Sequence, residues 1–213
     1  MPGGDDKQPV IPATGGKLAA PNPQGKGQVG FLLDWHYSAP KTVAKKPPAQ
    51  VLADYFTSLL VLSADFKFKP VFATDYYLYY ADSQWSLSLL SPENWNRADK
   101  RRAFVGTCVL HDDATWTIDP SENLSTPGDV AEAIAEFYSA FVDKLDTKQT
   151  LESELPFFEG RLPYYQRLFA SALSRSLRLS MIYGGQTEIG GRDWLAQLPR
   201  QAVGLLATGT DEP

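Results

Sequence analysis

A change in the spacing of apolar residues constrains this chain more than any other feature. Between Ala49 and Ser63, Leu52, Tyr55, Phe56, Leu59 and Leu62 recur at three and four, the repeat of one face of an α-helix. From Trp85 to Leu89 the repeat is two: Trp85, Leu87 and Leu89 alternate with Ser86 and Ser88, as in a half-buried strand. A chain that switches period within so short a span passes from a helix that packs a core into a sheet. Pro47 and Pro48 suit the first turn of that helix, where a missing N–H costs nothing.

The remaining strands fall close by. "ADSQ" has hairpin-turn chemistry, which makes Tyr76 to Tyr80 the antiparallel partner of the Trp85 strand. In "AFVGTCVL" one face carries Phe104, Gly106, Cys108 and Leu110 and the other Val105, Thr107 and Val109; "HDDA" turns and "TWTI" returns. The expectation is a small antiparallel β-meander of about four strands. Between its second and third strands, Ser91 and Pro92 open a short helical turn that buries Trp95.

Helices resume after Gly128, with Thr126 as cap and Pro127 at the first helical position. Val130, Ile134, Phe137, Phe141 and Leu145 draw one apolar stripe. A later helix, from about Leu162 to Tyr183, turns Tyr165, Leu168, Phe169, Ala172 and Leu179 inward and stops at Gly184-Gly185, and a short one is expected from Arg192 to Leu198. The fold class is therefore α+β, with one helix before the sheet and two or more after it.

Residues 1–28 are rich in Gly, Pro and Lys without an aromatic and are expected to form a disordered arm. "GFLLDWHYSAP" is expected to be extended, with Phe31, Leu32, Trp35 and Tyr37 packing on the domain. One domain spans 29–200, its helical part 128–183, followed by a flexible tail, 201–213.

The 213 residues are 43% hydrophobic, enough for one good-sized core. A net charge of −5 argues against a general nucleic-acid binder, whose affinity needs a surplus of Lys and Arg. The single cysteine excludes an internal disulfide, no apolar run reaches the roughly 18 residues of a membrane span, and the first thirty residues lack the apolar core of a secretory signal. A cytoplasmic setting is expected.

The run "FKFKPVFATDYYLYYADSQWSLSLLSPENW", followed by "FVGTCVLHDDATWTI", resembles the family catalogued as domain of unknown function 2452. Lys69-Pro70, Tyr76-Tyr77-Leu78-Tyr79, Ser91-Pro92 with Trp95, Phe104 with Gly106, Leu110, Asp113 and Trp116-Thr117 carry the resemblance, over residues 66–118. It implies a helix leading into a compact sheet with a Ser-Pro-x-x-Trp turn. It implies no activity, cofactor or catalytic residue.

Several groups invite a functional reading. Tyr76, Leu78 and Tyr80 share one strand face and Tyr77 and Tyr79 the other, so one aromatic face is left over. It either packs under the helices that follow Gly128 or forms a groove for a ligand. In "CVLHDD", Cys108 and His111 fall on opposite strand faces, which disfavours a thiol–imidazole pair, and too few ligands converge for a metal. "PQGKGQVG" lacks the spacing, the preceding strand and the following helix of a phosphate loop. Arg97, Lys100, Arg101 and Arg102 gather in one loop, and Arg167, Arg175 and Arg178 on one side of the late helix, as solvated faces or as contacts for an anionic partner.

The reading that follows is a non-enzymatic protein-binding or adaptor module with no cofactor and no metal, using Tyr77, Tyr79, Trp85, Trp95, Arg101 and Arg178. Tyr and Trp are favoured at interfaces, and no catalytic constellation stands out. An alternative is a small-molecule enzyme or sensor with a pocket between sheet and late helices, using His111, Asp113 or Arg178. A third is a structural subunit, which an exposed stripe from Val130 to Leu145 would indicate. Oligomeric state is not legible.

Overall fold

The computed structural model describes residues 28–94, 102–125, 128–157, 159–199 and 202–206. Among them, helices α1 (Gln28–Ser38) and α2 (Pro48–Ser63) precede strands β1 (Asp75–Ala81), β2 (Gln84–Ser88), β3 (Ala103–Leu110) and β4 (Trp116–Pro120). Helices α3 (Asp129–Leu145), α4 (Tyr164–Gly184) and α5 (Gly191–Leu195) follow. The architecture is α+β. No helix among the described residues is long and apolar enough to cross a membrane.

The N-terminal segment differs from its expected extended form: Gln28–Ser38 is helical. The deciding contacts are at helical spacing, with Phe31 and Trp35 rings 5.9 Å apart one turn from each other. On the same side Asp34 is buried, bonded to Lys69 Nζ at 3.0 Å and to the Tyr164 hydroxyl at 2.9 Å.

Helix α2 is enclosed on all sides. Its apolar stripe is at the expected positions, but Asp54, Thr57, Ser58, Leu60 and Val61 are buried as well. Tyr55, Thr57 and Ser58 each reach a different neighbour, as burial of hydrogen-bonding groups requires. Tyr55 donates to the Glu154 carbonyl (2.6 Å), Thr57 to the Leu205 carbonyl (3.0 Å), and Ser58 Oγ accepts from the Trp116 N–H (2.9 Å). Edge-to-face contacts of Tyr55 and Phe56 with Phe141, and of Phe56 with Phe137, lock α3 onto it.

The four strands are antiparallel in the order β2-β1-β3-β4, so β1 lies between β2 and β3, where a strict meander would keep chain order. Asp82 and Ser83, both at positive φ (50° and 59°), make the two-residue hairpin between β1 and β2. Gly106 is required in β3, because a Cβ there would lie 2.4 Å from the Asp119 carbonyl oxygen.

A β-bulge in β3 changes which residues share a face. Leu78 pairs with Gly106 but Tyr79 with Phe104, leaving Val105 as an extra residue. Val105 turns into the core and Phe104 joins Tyr77 and Tyr79 on the outer face, the reverse of the alternation expected from the sequence. Ser121 holds the bulge, its N–H on the Val105 carbonyl (2.9 Å) and its hydroxyl on the Phe104 carbonyl (2.8 Å).

The later helices form close to where they were expected. Ile134, Phe137, Phe141 and Leu145 of α3 are buried, which removes the basis for a structural subunit built on that stripe. Its expected cap, Thr126 and Pro127, lies outside the described residues, as do the 1–27 arm and the last residues of the tail. Helix α4 ends at Gly185, in the left-handed region at φ 66°. Tyr165, Leu168, Phe169 and Ala172 face inward, but Leu179 is exposed, because it falls on the outer face of α4 with Ile182 and Tyr183, while Ser180 and Met181 beside it are buried.

Candidate functional site

The sheet has two unlike faces. Tyr76, Leu78, Leu87, Cys108, Leu110, Trp116 and Ile118 lie against α2 and its neighbours and are buried. Tyr76 is fixed there by stacking on Phe68 (5.3 Å), an edge contact with Trp116 (5.7 Å) and a hydrogen bond accepted from the Val71 N–H (2.7 Å). The Cys108 thiol, sealed in this layer, is pushed far above its ordinary pKa by burial.

The outer face carries Tyr77, Tyr79 and Phe104 beside Ser86, Ser88, Thr107, Val109 and Thr117, most of them half-buried. Phe104 touches both tyrosines, with ring centroids at 6.3 Å from Tyr77 and 5.6 Å from Tyr79. The Tyr79 hydroxyl donates to the Leu90 carbonyl at 2.9 Å, holding the chain after β2 against this face. Leu89 and Leu90 themselves are 59% and 51% exposed. The helices that follow Gly128 pack on the opposite side, so the leftover aromatic face is not their floor, the first of the two alternatives.

Both edges of the sheet are engaged. On β2, Asp65 donates its N–H to the Trp85 carbonyl (2.9 Å) and accepts from the Leu87 N–H (3.1 Å). On β4, the Trp116 N–H is taken by Ser58, and Pro120 has none to offer.

Of the four singled-out residues that are described, Tyr77 and Tyr79 come together. Tyr77 is half-buried; Tyr79 retains 2% of its exposure, with ring and hydroxyl both engaged. Trp85 lies on the other side of the sheet, 4.6 Å from the Tyr80 ring. Arg178 is remote, on α4, paired through Nε with Glu152 at 2.5 Å. Trp95 and Arg101 lie outside the described residues. Phe104 was missed, since nothing in the sequence betrays the bulge that turns it outward.

The polar groups of the alternative pocket do not converge. His111 Nε2 is 2.7 Å from Thr117 Oγ1, Asp113 is engaged by Lys46 and Thr115, and Arg178 by Glu152. The expected arginine patch on α4 also divides, with Arg175 over Trp35 and Arg178 on Glu152.

A buried ion cluster escaped the sequence reading. Lys46 Nζ sits between Asp54 Oδ2 (2.5 Å) and Asp113 Oδ2 (2.6 Å). Gln50 donates to the other Asp54 oxygen at 2.7 Å, and the Thr115 N–H and hydroxyl to that of Asp113 at 3.0 and 2.6 Å. Burial raises the Asp54 carboxyl above its usual range despite Lys46 and Gln50. Burial acts on Asp113 in the same sense, but Lys46 and the Thr115 bonds outweigh it and hold that carboxyl below the usual range. Burial disfavours the Lys46 ammonium, yet the two carboxylates outweigh it and keep its pKa raised. Every oxygen and the ammonium are engaged within the protein, so the cluster joins the segment before α2 to α2 and to the β3–β4 turn. An aspartate inside an apolar helical repeat, Asp54, was its one sequence signal.

No curated protein and no solved structure matches the chain. Residues 47–140, from the start of α2 through the whole sheet and into α3, match the family described as "Protein of unknown function (DUF2452)", the family that the Tyr-Tyr-Leu-Tyr and Ser-Pro-x-x-Trp elements resemble.

Proposed function

We propose that this protein is a non-enzymatic binding module of the cytoplasm that docks a partner polypeptide on the outer face of its sheet. The observation that carries the reading is the aromatic group of Tyr77 and Phe104 on the face opposite the helices, bordered by exposed Leu89 and Leu90. Rings with polar tips, flanked by serine and threonine hydroxyls, make an amphipathic platform of the kind enriched at protein interfaces. Because both sheet edges are engaged, the partner meets side chains on the face and does not add a strand. The partner chemistry that fits is a cluster of apolar side chains with a few hydrogen-bonding groups at its rim.

The test is native mass spectrometry of the tagged full-length protein, purified gently beside a Tyr77→Ser/Phe104→Ser variant. A stoichiometric polypeptide that accompanies the native protein and is lost from a folded variant is the expected result. A polypeptide retained equally by both would place the interface elsewhere, and a bare monomer with a reproducible small mass would favour a ligand pocket.

A further inference from the structure

The seam between α1 and α4 contains a cation for which no counter-charge is found among the described residues. Arg175 lays its guanidinium over the Trp35 ring, 4.4 Å from the centroid. Its Nε and Nη2 are shielded from solvent, and neither finds an acceptor among the described residues. Other cations of the molecule do: Lys46 has Asp54 and Asp113, Lys69 has Asp34, Arg178 has Glu152 and Arg192 has Asp146. The carboxylate next to Trp35 in sequence, Asp34, is taken up by Lys69 and the Tyr164 hydroxyl.

Buried charged donors left unbonded are costly, and a guanidinium does not escape by losing its proton. The Trp35 ring gives the guanidinium a cation–π contact but no acceptor for Nε–H and Nη2–H. The edge formed by Nε and Nη2 is the one that grips two oxygens of a carboxylate or phosphate at once.

We propose that the α1–α4 seam is an oxyanion-binding site, in which Arg175 donates Nε–H and Nη2–H to two oxygens of a carboxylate or phosphate while Trp35 supports the guanidinium by its cation–π contact. The site is on the helical side of the molecule and is independent of the sheet surface. Both nitrogens are shielded in this structure, so entry of the anion requires their cover to move aside; α1, with Leu32 and Leu33 open to solvent, is the less embedded of the two helices.

The arginine Nε–H resonances of the full-length ¹⁵N-labelled protein test this in separate titrations with inorganic phosphate, with acetate and, at matched ionic strength, with chloride. The expected result is that one resonance, absent from Arg175→Lys, moves saturably with phosphate or acetate and not with chloride. A response to phosphate alone identifies a phosphate site, and one to acetate a carboxylate site. Arg175→Lys keeps the charge but loses the planar fork that grips two oxygens, so amide shifts around Trp35 should then need about tenfold more anion. The proposal is overturned if neither anion gives a saturable shift, if all arginine resonances move together, or if Arg175→Lys binds as well as the native protein.

Discussion

The two faces of the sheet are built from similar residues put to different uses. Tyr76 and Tyr77 are neighbours in sequence, yet Tyr76 is sealed between Phe68 and Trp116 while Tyr77 meets only the Phe104 ring among its described ring contacts. The covered face is largely apolar, and the Tyr76 hydroxyl on it accepts from the Val71 N–H. The outer face mixes rings with Ser86, Thr107 and Thr117, as a surface that spends time in water must. Aromatic density in a strand is thus not one property: alternate residues serve the core and the surface, and a single bulge decides which side Phe104 joins.

The contrast can be broken most directly on the covered face. Trp116→Ala should cost about 3–5 kcal/mol in urea unfolding, the usual range for an aromatic core truncation. A loss below about 1 kcal/mol would mean that this face is not the core. Next comes the ion cluster at the end of that face. Lys46→Ala leaves two buried carboxylates facing each other and should cost about 3 kcal/mol, as loss of one partner of a buried ion group does.

The same cluster gives a pH signature. Asp113 has a folded pKa below its unfolded value of 3.8, so its contribution is fully present above that value and is lost as pH falls through the folded one. Asp54 is raised above 3.8 and acts in the opposite sense, gaining stability as it takes up its proton. Asp113→Asn should therefore flatten the acid limb of the stability curve; an unchanged limb would show that other carboxylates set it.

Smaller effects sharpen the comparison. Ser83→Gly removes a side chain from a left-handed hairpin position and should stabilise the protein by about 1 kcal/mol, read as a higher urea midpoint. Tyr77→Ser with Phe104→Ser on the outer face should change stability least, by under about 1 kcal/mol, while abolishing capture of the partner. A variant that unfolds would show the outer rings to be a second core.

The strands, the central helix and both late helices were legible because each carries its own period over several residues. The extended reading of Phe31 to Tyr37 failed because a segment so rich in aromatic and apolar side chains fits either period, and Asp34, whose burial decides it, finds its partners at Lys69 and Tyr164, far along the chain. Phe104 and Val105 exchanged faces for a similar reason: Ser121, which holds the bulge, comes from beyond β4. Tyr77 and Tyr79 were found on local alternation alone. The Lys46 cluster and Arg175 are products of tertiary proximity, with no spacing to reveal them.

The enclosure of α2 has a consequence for how the molecule opens. Its side chains are bonded to β4, to the turn at Leu151–Glu154 and to the C-terminal turn at Leu205, so none of these layers can separate without disturbing it. Amide protons along α2 should then exchange with deuterium only when the whole domain unfolds, while those of α1 and the end of α4 exchange by local fraying. In that sense α2 acts as the timekeeper of the fold: its slowest amide reports the lifetime of the entire native state.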